Sequence, residues 1–266
     1  MTTQPLALTA RYIFPVAGPP IAGGLLTIAG ERIVAVGENR SGAAPLDLGN
    51  VAILPGLINA HTHLEFSDLT VPLGTAGNRL PDWIRRVIAH RRGADPGTGD
   101  PRGGGLAECA RGGATGVGEI ATRVWPAMPQ AEIERAEIAP PPADVTVFWE
   151  VIGLRPEQFD ERLAEARAHL HRAWPEGAGV RPGLSPHAPY SVHPELMAKL
   201  VDLAAAADVP VAMHLAESRE ELELLAHGSG PFREMLAELG VWPPEVFGGG
   251  RRPLDYLRAL SRAPRG

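Results

Sequence analysis

Among 266 residues there is a single cysteine, Cys109, so no internal disulfide can form and the framework does not call for an oxidising compartment. No apolar run approaches the roughly 18 residues that a membrane helix needs. The opening Met1-Thr-Thr-Gln-Pro also lacks the charged start and continuous apolar core of a signal peptide. Basic charge is not in excess: the formal net charge of −6 leaves no cationic patch for nucleic acid. These absences lead us to expect a soluble, cytoplasmic protein with neither a membrane nor a nucleic-acid partner. Nucleotide signatures are missing too. Gly93 to Gly105 is rich in glycine, proline and aspartate but has no Gly-Lys-Ser/Thr ending, which makes it a surface loop and not a phosphate cradle. What remains is a chain with 44% hydrophobic residues, enough to bury a full core.

Two textures follow one another along the chain. Residues 6–50 read as short strands separated by Pro19-Pro20 and Gly30-Glu31, with no helical periodicity, and form the N-terminal part of a small β-sandwich unit. From Val51 onward apolar runs alternate with helical segments. Val51 to Leu54 reads as a buried strand and Leu80 to about Arg92 as a helix. Strands at Ala114 to Ile120, Val145 to Ile152, Val180 to Ser185 and Val209 to Leu215 then precede or separate further helices. Cys109 falls in a helical pattern and reads as a packed small residue. The interval between strand starts, about 30 residues, is that of a βαβ unit and predicts a parallel sheet. An open dinucleotide-binding sheet would show Gly-x-Gly-x-x-Gly after its first strand. Here the first strand leads into His-x-His, and we therefore expect an α/β fold of the TIM-type (β/α) barrel over residues 51–266.

In that fold chemistry collects at the carboxyl ends of strands, where this sequence places His61 and His63, Glu119, Glu150, His187, and His214 with Glu217. His61 and His63 are two apart in extended backbone, so their side chains point the same way, as two ligands of one ion do. A pair of surface histidines has the same spacing. Ser218-Arg-Glu-Glu221 is a capping box that starts a helix, which puts Glu217 in the strand-to-helix loop, three residues beyond His214. There it could exchange protons, or simply favour the helix N-terminus. His193, before Pro194, reads as a helix N-cap. His90, His169, His171 and His227 lie on or beside helices, away from the strand ends.

His61-Thr-His63 after an apolar strand, Ser185-Pro-His187-Ala-Pro-Tyr190 and Met213-His214-Leu-Ala-Glu217, in that order, resemble the amidohydrolase superfamily and its cytosine-deaminase-like and chlorohydrolase-like branch. The resemblance implies that His61, His63 and His214 bind one divalent metal, zinc or iron. It further implies that Glu217 shuttles protons and that His187 contacts a small heterocyclic substrate. Three neutral imidazoles with an open position leave room for a water whose pKa falls to about 7 on the metal. The implied activity is hydrolysis of a non-peptide carbon–nitrogen bond, in particular deamination of a purine- or pyrimidine-like ring.

The resemblance also implies features that this sequence does not show, namely another histidine after a sixth strand and an aspartate after an eighth. About five of the eight barrel strands are visible. The expectation is therefore a barrel incomplete at its C-terminus, with exposed strand edges that favour a homo-oligomer. A catalytically inactive fragment and a dechlorinating variant are the alternative readings.

Overall fold

The computed structural model describes residues 5–38, 44–93, 100–125, 144–174 and 179–263, in two compact units, Met1–Leu57 and Ile58–Gly266. Residues 94–99, part of the glycine-rich stretch from Gly93 to Gly105 expected as a surface loop, fall outside the described residues, while Gly93 and Arg102 to Gly105 are helical.

The first unit is built from β1 (Leu6–Thr9), β2 (Tyr12–Ile13), β3 (Ile21–Ala22), β4 (Gly24–Ala29), β5 (Arg32–Glu38), β6 (Leu46–Asp47) and β7 (Ala52–Ile53). They make a four-stranded sheet in the order β5-β4-β1-β6 and a three-stranded sheet in the order β3-β2-β7. Here one expectation needs correcting. Val51 to Leu54 is not a buried strand opening a barrel: β7 pairs in parallel with β2, and Val51 and Leu54 are 47% and 54% exposed. Pro55-Gly56 ends the run. The next strand, β8 (Leu57–Thr62), is the one that carries His61.

In the second unit β8, β9 (Ala114–Ala121), β10 (Asp144–Val151) and β11 (Val180–Pro186) form one sheet in sequential order, with β9, β10 and β11 parallel. Gly118 allows the sheet to close up beside the histidines, because a Cβ there would lie 2.2 Å from the Ala60 carbonyl oxygen. Helices α1 (Leu80–Gly93) and α2 (Arg102–Arg111) connect β8 to β9, and α3 (Phe159–Leu170) connects β10 to β11. Then come α4 (Pro194–Ala206), α5 (Arg219–His227), α6 (Pro231–Glu238) and α7 (Pro253–Leu260). Helix α2 starts at Arg102, four residues before the apolar pattern predicts. The Asp100 carboxylate accepts from the Arg102 N–H at 3.1 Å, and Gly105 lies so close to Ser67 that no side chain would fit.

The expected fifth strand, Val209 to Leu215, is present only as an extended segment beside β11. Pro210 has no N–H to donate, so the ladder reduces to Leu184 N–H on the Pro210 carbonyl (3.1 Å) and Ala212 N–H on the Leu184 carbonyl (3.0 Å). Among the described residues of the second unit the strands form one open sheet, with β9, β10 and β11 parallel, and no closed barrel.

Helix α4 shows why the core sits where it does. His193 is its N-cap, with Nδ1 accepting from the Glu195 N–H at 3.1 Å, and Pro194 occupies the first turn, where a missing N–H costs nothing. Leu196, Met197, Leu200, Val201 and Ala204 then recur at helical spacing and are all buried, packed with Leu184, Leu224 and Phe232. Leu200 is fully buried, so Leu200→Ala should lower the unfolding free energy by roughly 2–5 kcal/mol. Urea titration followed by circular dichroism measures this, and a loss below about 1 kcal/mol would contradict the packing described.

Candidate metal centre and active-site cavity

His61 is the fifth residue of β8, and His63 follows one residue beyond the strand end. The backbone after His63 is anchored by Glu119 of β9, whose Oε2 accepts the Leu64 N–H at 2.8 Å. His214 comes from the extended segment beside β11. Its Nδ1 lies 3.1 Å from the His187 carbonyl oxygen, which can only accept, so Nδ1 carries the proton and Nε2 is left bare as a ligand.

The three rings converge, with one nitrogen from each within 4.8 Å of the others. His63 Nε2 and His214 Nε2 are 3.3 Å apart. Two ligands at about 2.0–2.1 Å on one tetrahedral ion are separated by nearly this distance. Burial, then the neighbouring His214 and His61, push the His63 pKa down to about 3. His61 is lowered by burial and by His214, with Glu217 partly opposing. Neutral imidazoles are the form that binds a metal. The donor set therefore fits a divalent ion.

Glu217 is held from both sides. The loop before α5 passes through Ala216 at φ +59°, a left-handed conformation that a residue with a Cβ adopts only under constraint. The constraint is Glu221, fully buried in the first turn of α5, whose carboxylate accepts from Ala216 N–H at 3.1 Å and Glu217 N–H at 2.8 Å. Ser218 caps the helix by accepting from Glu221 N–H at 3.2 Å, as the capping box requires. On the other side Tyr190 donates its hydroxyl to Glu217 Oε2 at 3.1 Å. Tyr190 is itself fixed by stacking on Phe232, with ring centroids 4.2 Å apart, and burial raises its pKa so that it keeps its proton.

His187 Nδ1 lies 2.6 Å from Ser191 Oγ, and that hydroxyl spends its proton on the Ala188 carbonyl. Nδ1 must therefore be the donor, and Nε2 faces the cavity bare. The cavity holds about 890 Å³, with His61, His63, His187, His214 and Glu217 in its lining. Leu80, Trp83, Ile84 and Val87 of α1 and Met235 and Leu236 of α6 supply an apolar wall. The polar wall includes Arg91, bound to Glu65 at 2.6 Å, while Glu65 in turn accepts from Thr122 at 2.9 Å.

The five residues singled out in the sequence thus share one cavity. Glu119 lies in the layer beneath, and His169 is a structural histidine with Nε2 3.0 Å from the Val147 carbonyl oxygen. Sequence reading missed the anchoring parts played by Tyr190 and Glu221, although both stand in motifs already noted. It missed Arg91 altogether, which no local pattern marks.

A family model described as the amidohydrolase family matches residues 52–239. The chain belongs to the amidohydrolase family. Aminodeoxyfutalosine deaminase of Deinococcus radiodurans is 33% identical over 278 residues, covering 97% of this chain and 62% of that protein. The crystal structure of Helicobacter pylori aminofutalosine deaminase in complex with methylthio-coformycin has a TM-score of 0.69 at 21% identity, over 87% of this chain and 56% of that one. A zinc-bound adenosine deaminase from Xanthomonas campestris has a TM-score of 0.60 at 23% identity, over 97% and 55%. This amidohydrolase thus spans about three-fifths of the length of its Deinococcus relative, and the structural likenesses give it a TIM-barrel-like α/β fold.

Burial raises the Glu119 pKa to about 8, against the opposing hydrogen bond from Leu64. Above its ordinary value near 4.5 the unfolded chain releases this proton while the folded protein keeps it, so stability falls as pH rises until the folded group also ionises. Compared with Glu119→Gln, which can still accept from Leu64, the wild type should lose stability from about pH 5 to about pH 8 and level off above. Denaturant titrations of both proteins in chelator across that range test this; a constant difference would refute it.

Proposed function

We propose that this amidohydrolase carries the metal centre of a deaminase that replaces the exocyclic amino group of an adenosine-like nucleoside with oxygen, consuming water and releasing ammonia. The observation that carries the reading is the convergence of His61, His63 and His214 on one point of a cavity that also presents Glu217 and the bare Nε2 of His187. The relatives' names, aminodeoxyfutalosine deaminase and adenosine deaminase, point to the nucleoside class. Zinc is the ion proposed, in keeping with three imidazole donors.

When bound, the ion supplies Lewis acidity that makes water a nucleophile near neutral pH. The rest is done by side chains of the chain. Glu217, with one oxygen occupied by Tyr190, has the other free to take a proton from the water and deliver it to the departing amine. His187 Nε2 accepts from the substrate and orients the ring. The apolar wall from α1 and α6 excludes water and takes the apolar part of the nucleoside.

Purified protein should contain up to one equivalent of zinc, and replacing both His61 and His63 with alanine should remove it. Elemental analysis that finds equal metal in both proteins would reject the ligand assignment. Glu217→Gln should retain the metal and lower turnover of 5′-methylthioadenosine by roughly 10²–10⁴-fold. His187→Ala should act chiefly on KM. Unchanged turnover in Glu217→Gln, with ammonia release as the assay, would take Glu217 out of the mechanism.

A further inference from the structure

The polar wall of the cavity contains a carboxyl group that the mechanism above does not use. Glu150 is the seventh residue of β10, at the carboxyl end of the strand, and its side chain is 2% exposed. Its Oε2 lies 3.7 Å from Arg91 Nη1 and its Oε1 lies 3.8 Å from His187 Nε2, both beyond hydrogen-bond distance. Oε1 is buried and has no hydrogen-bond partner, and Arg91 Nε on the same wall is buried and unpartnered as well. Buried polar atoms in folded proteins are almost always satisfied, and a carboxyl oxygen left bare in a substrate cavity is satisfied when the substrate arrives. His187 Nε2, on the cavity wall beside it, carries no proton, the ring proton being on Nδ1 toward Ser191. Two polar atoms 3.8 Å apart leave room between them for one ligand atom at about 2.8–2.9 Å from each.

We propose that Glu150 is a substrate-recognition residue, and that its free Oε1 and the bare Nε2 of His187 together grip a single N–H or O–H group of the nucleoside, sharing its hydrogen in a three-centre hydrogen bond. The inference rests on the deaminase reading, since it takes the cavity to be the substrate site. Arg91 keeps Glu150 in place from behind, Glu65 holds Arg91 and Thr122 donates to Glu65, so the grip is pre-organised by a chain that runs from α1 to the end of β9. Substrates whose group at this point cannot donate a hydrogen bond are excluded, because they would leave the buried Glu150 Oε1 unmet.

The test is calorimetric titration of the zinc-loaded protein with methylthio-coformycin, for the wild type, Glu150→Leu, His187→Ala and the double variant. Glu150→Leu should hold zinc as the wild type does and weaken binding by roughly 10- to 100-fold, the range for a hydrogen bond to a charged group. The double variant should bind little worse than the weaker single one, since both residues grip the same group. Binding by Glu150→Leu within about twofold of wild type, or losses that multiply in the double variant, would overturn the proposal. If Glu150→Leu does not fold, Glu150→Met replaces it, which is close to glutamate in length but has no oxygen to accept with, and unchanged affinity there counts against the proposal equally. A wild type that holds zinc but binds no methylthio-coformycin would bring down the deaminase reading together with this inference. One that binds it and deaminates 5′-methylthioadenosine, with the Glu150 variants unaffected, would bring down this inference alone.

Discussion

One carbonyl oxygen ties the site together. The His187 oxygen accepts both the backbone N–H of His214, at 2.9 Å, and the ring Nδ1–H of the same residue, at 3.1 Å. The first bond aligns the segment 209–214 beside β11 where Pro210 has weakened the ladder. The second selects the tautomer that leaves His214 Nε2 free to bind a metal. Because the oxygen belongs to His187, the bond that places a proposed metal ligand also places the backbone from which the proposed substrate contact projects. Neither histidine can shift without disturbing the other.

The same economy governs the charges. His61 and His63 are kept neutral mainly by burial, which suits them for a cation and leaves the cluster without repulsion among imidazolium groups. The acids nearby are buried too, but each is put to a different use by its surroundings. Glu119 receives one backbone N–H and stays largely protonated near neutrality. Glu221 receives N–H groups from the loop that bears Glu217, and so holds Ala216 in its left-handed conformation. Glu150 has no bonded partner on Oε1, and burial raises its pKa to about 7 despite the nearby Arg91. Three buried carboxyl groups thus serve as a backbone anchor, a loop clamp and an open recognition group.

Apolar packing supplies the rigidity that these bonds need. Tyr190 can aim at Glu217 because Phe232 of α6 stacks on its ring, and α6 also lines the cavity with Met235 and Leu236. Helix α4, buried along Leu196, Leu200 and Val201, backs the end of β11 from which His187 departs. The second unit's larger core therefore lies directly behind the proposed catalytic loop.

Much of this was legible in the residues alone. Local rules determined the N-caps at Ser218 and His193, the bounds of α4 and the shared direction of His61 and His63, because each depends on neighbours a few positions away. The three ordered motifs identified the family, since they carry its chemistry at strand ends. Other features had to await the tertiary structure. Val51 to Leu54 has the composition of a buried strand, and only its pairing with β2 shows that it belongs to the first unit. The fifth strand was overestimated because apolar composition cannot reveal how many ladder bonds a proline removes. Arg91, Glu150 and the double use of the His187 carbonyl depend on contacts between residues 27 to 59 positions apart, and such distances are set by the packing of whole elements. Sequence therefore determined which chemistry the chain can carry, while the fold decided which groups stand close enough to perform it, because hydrogen bonds and metal ligation act over about 2–3.5 Å and local pattern does not reach across the sheet.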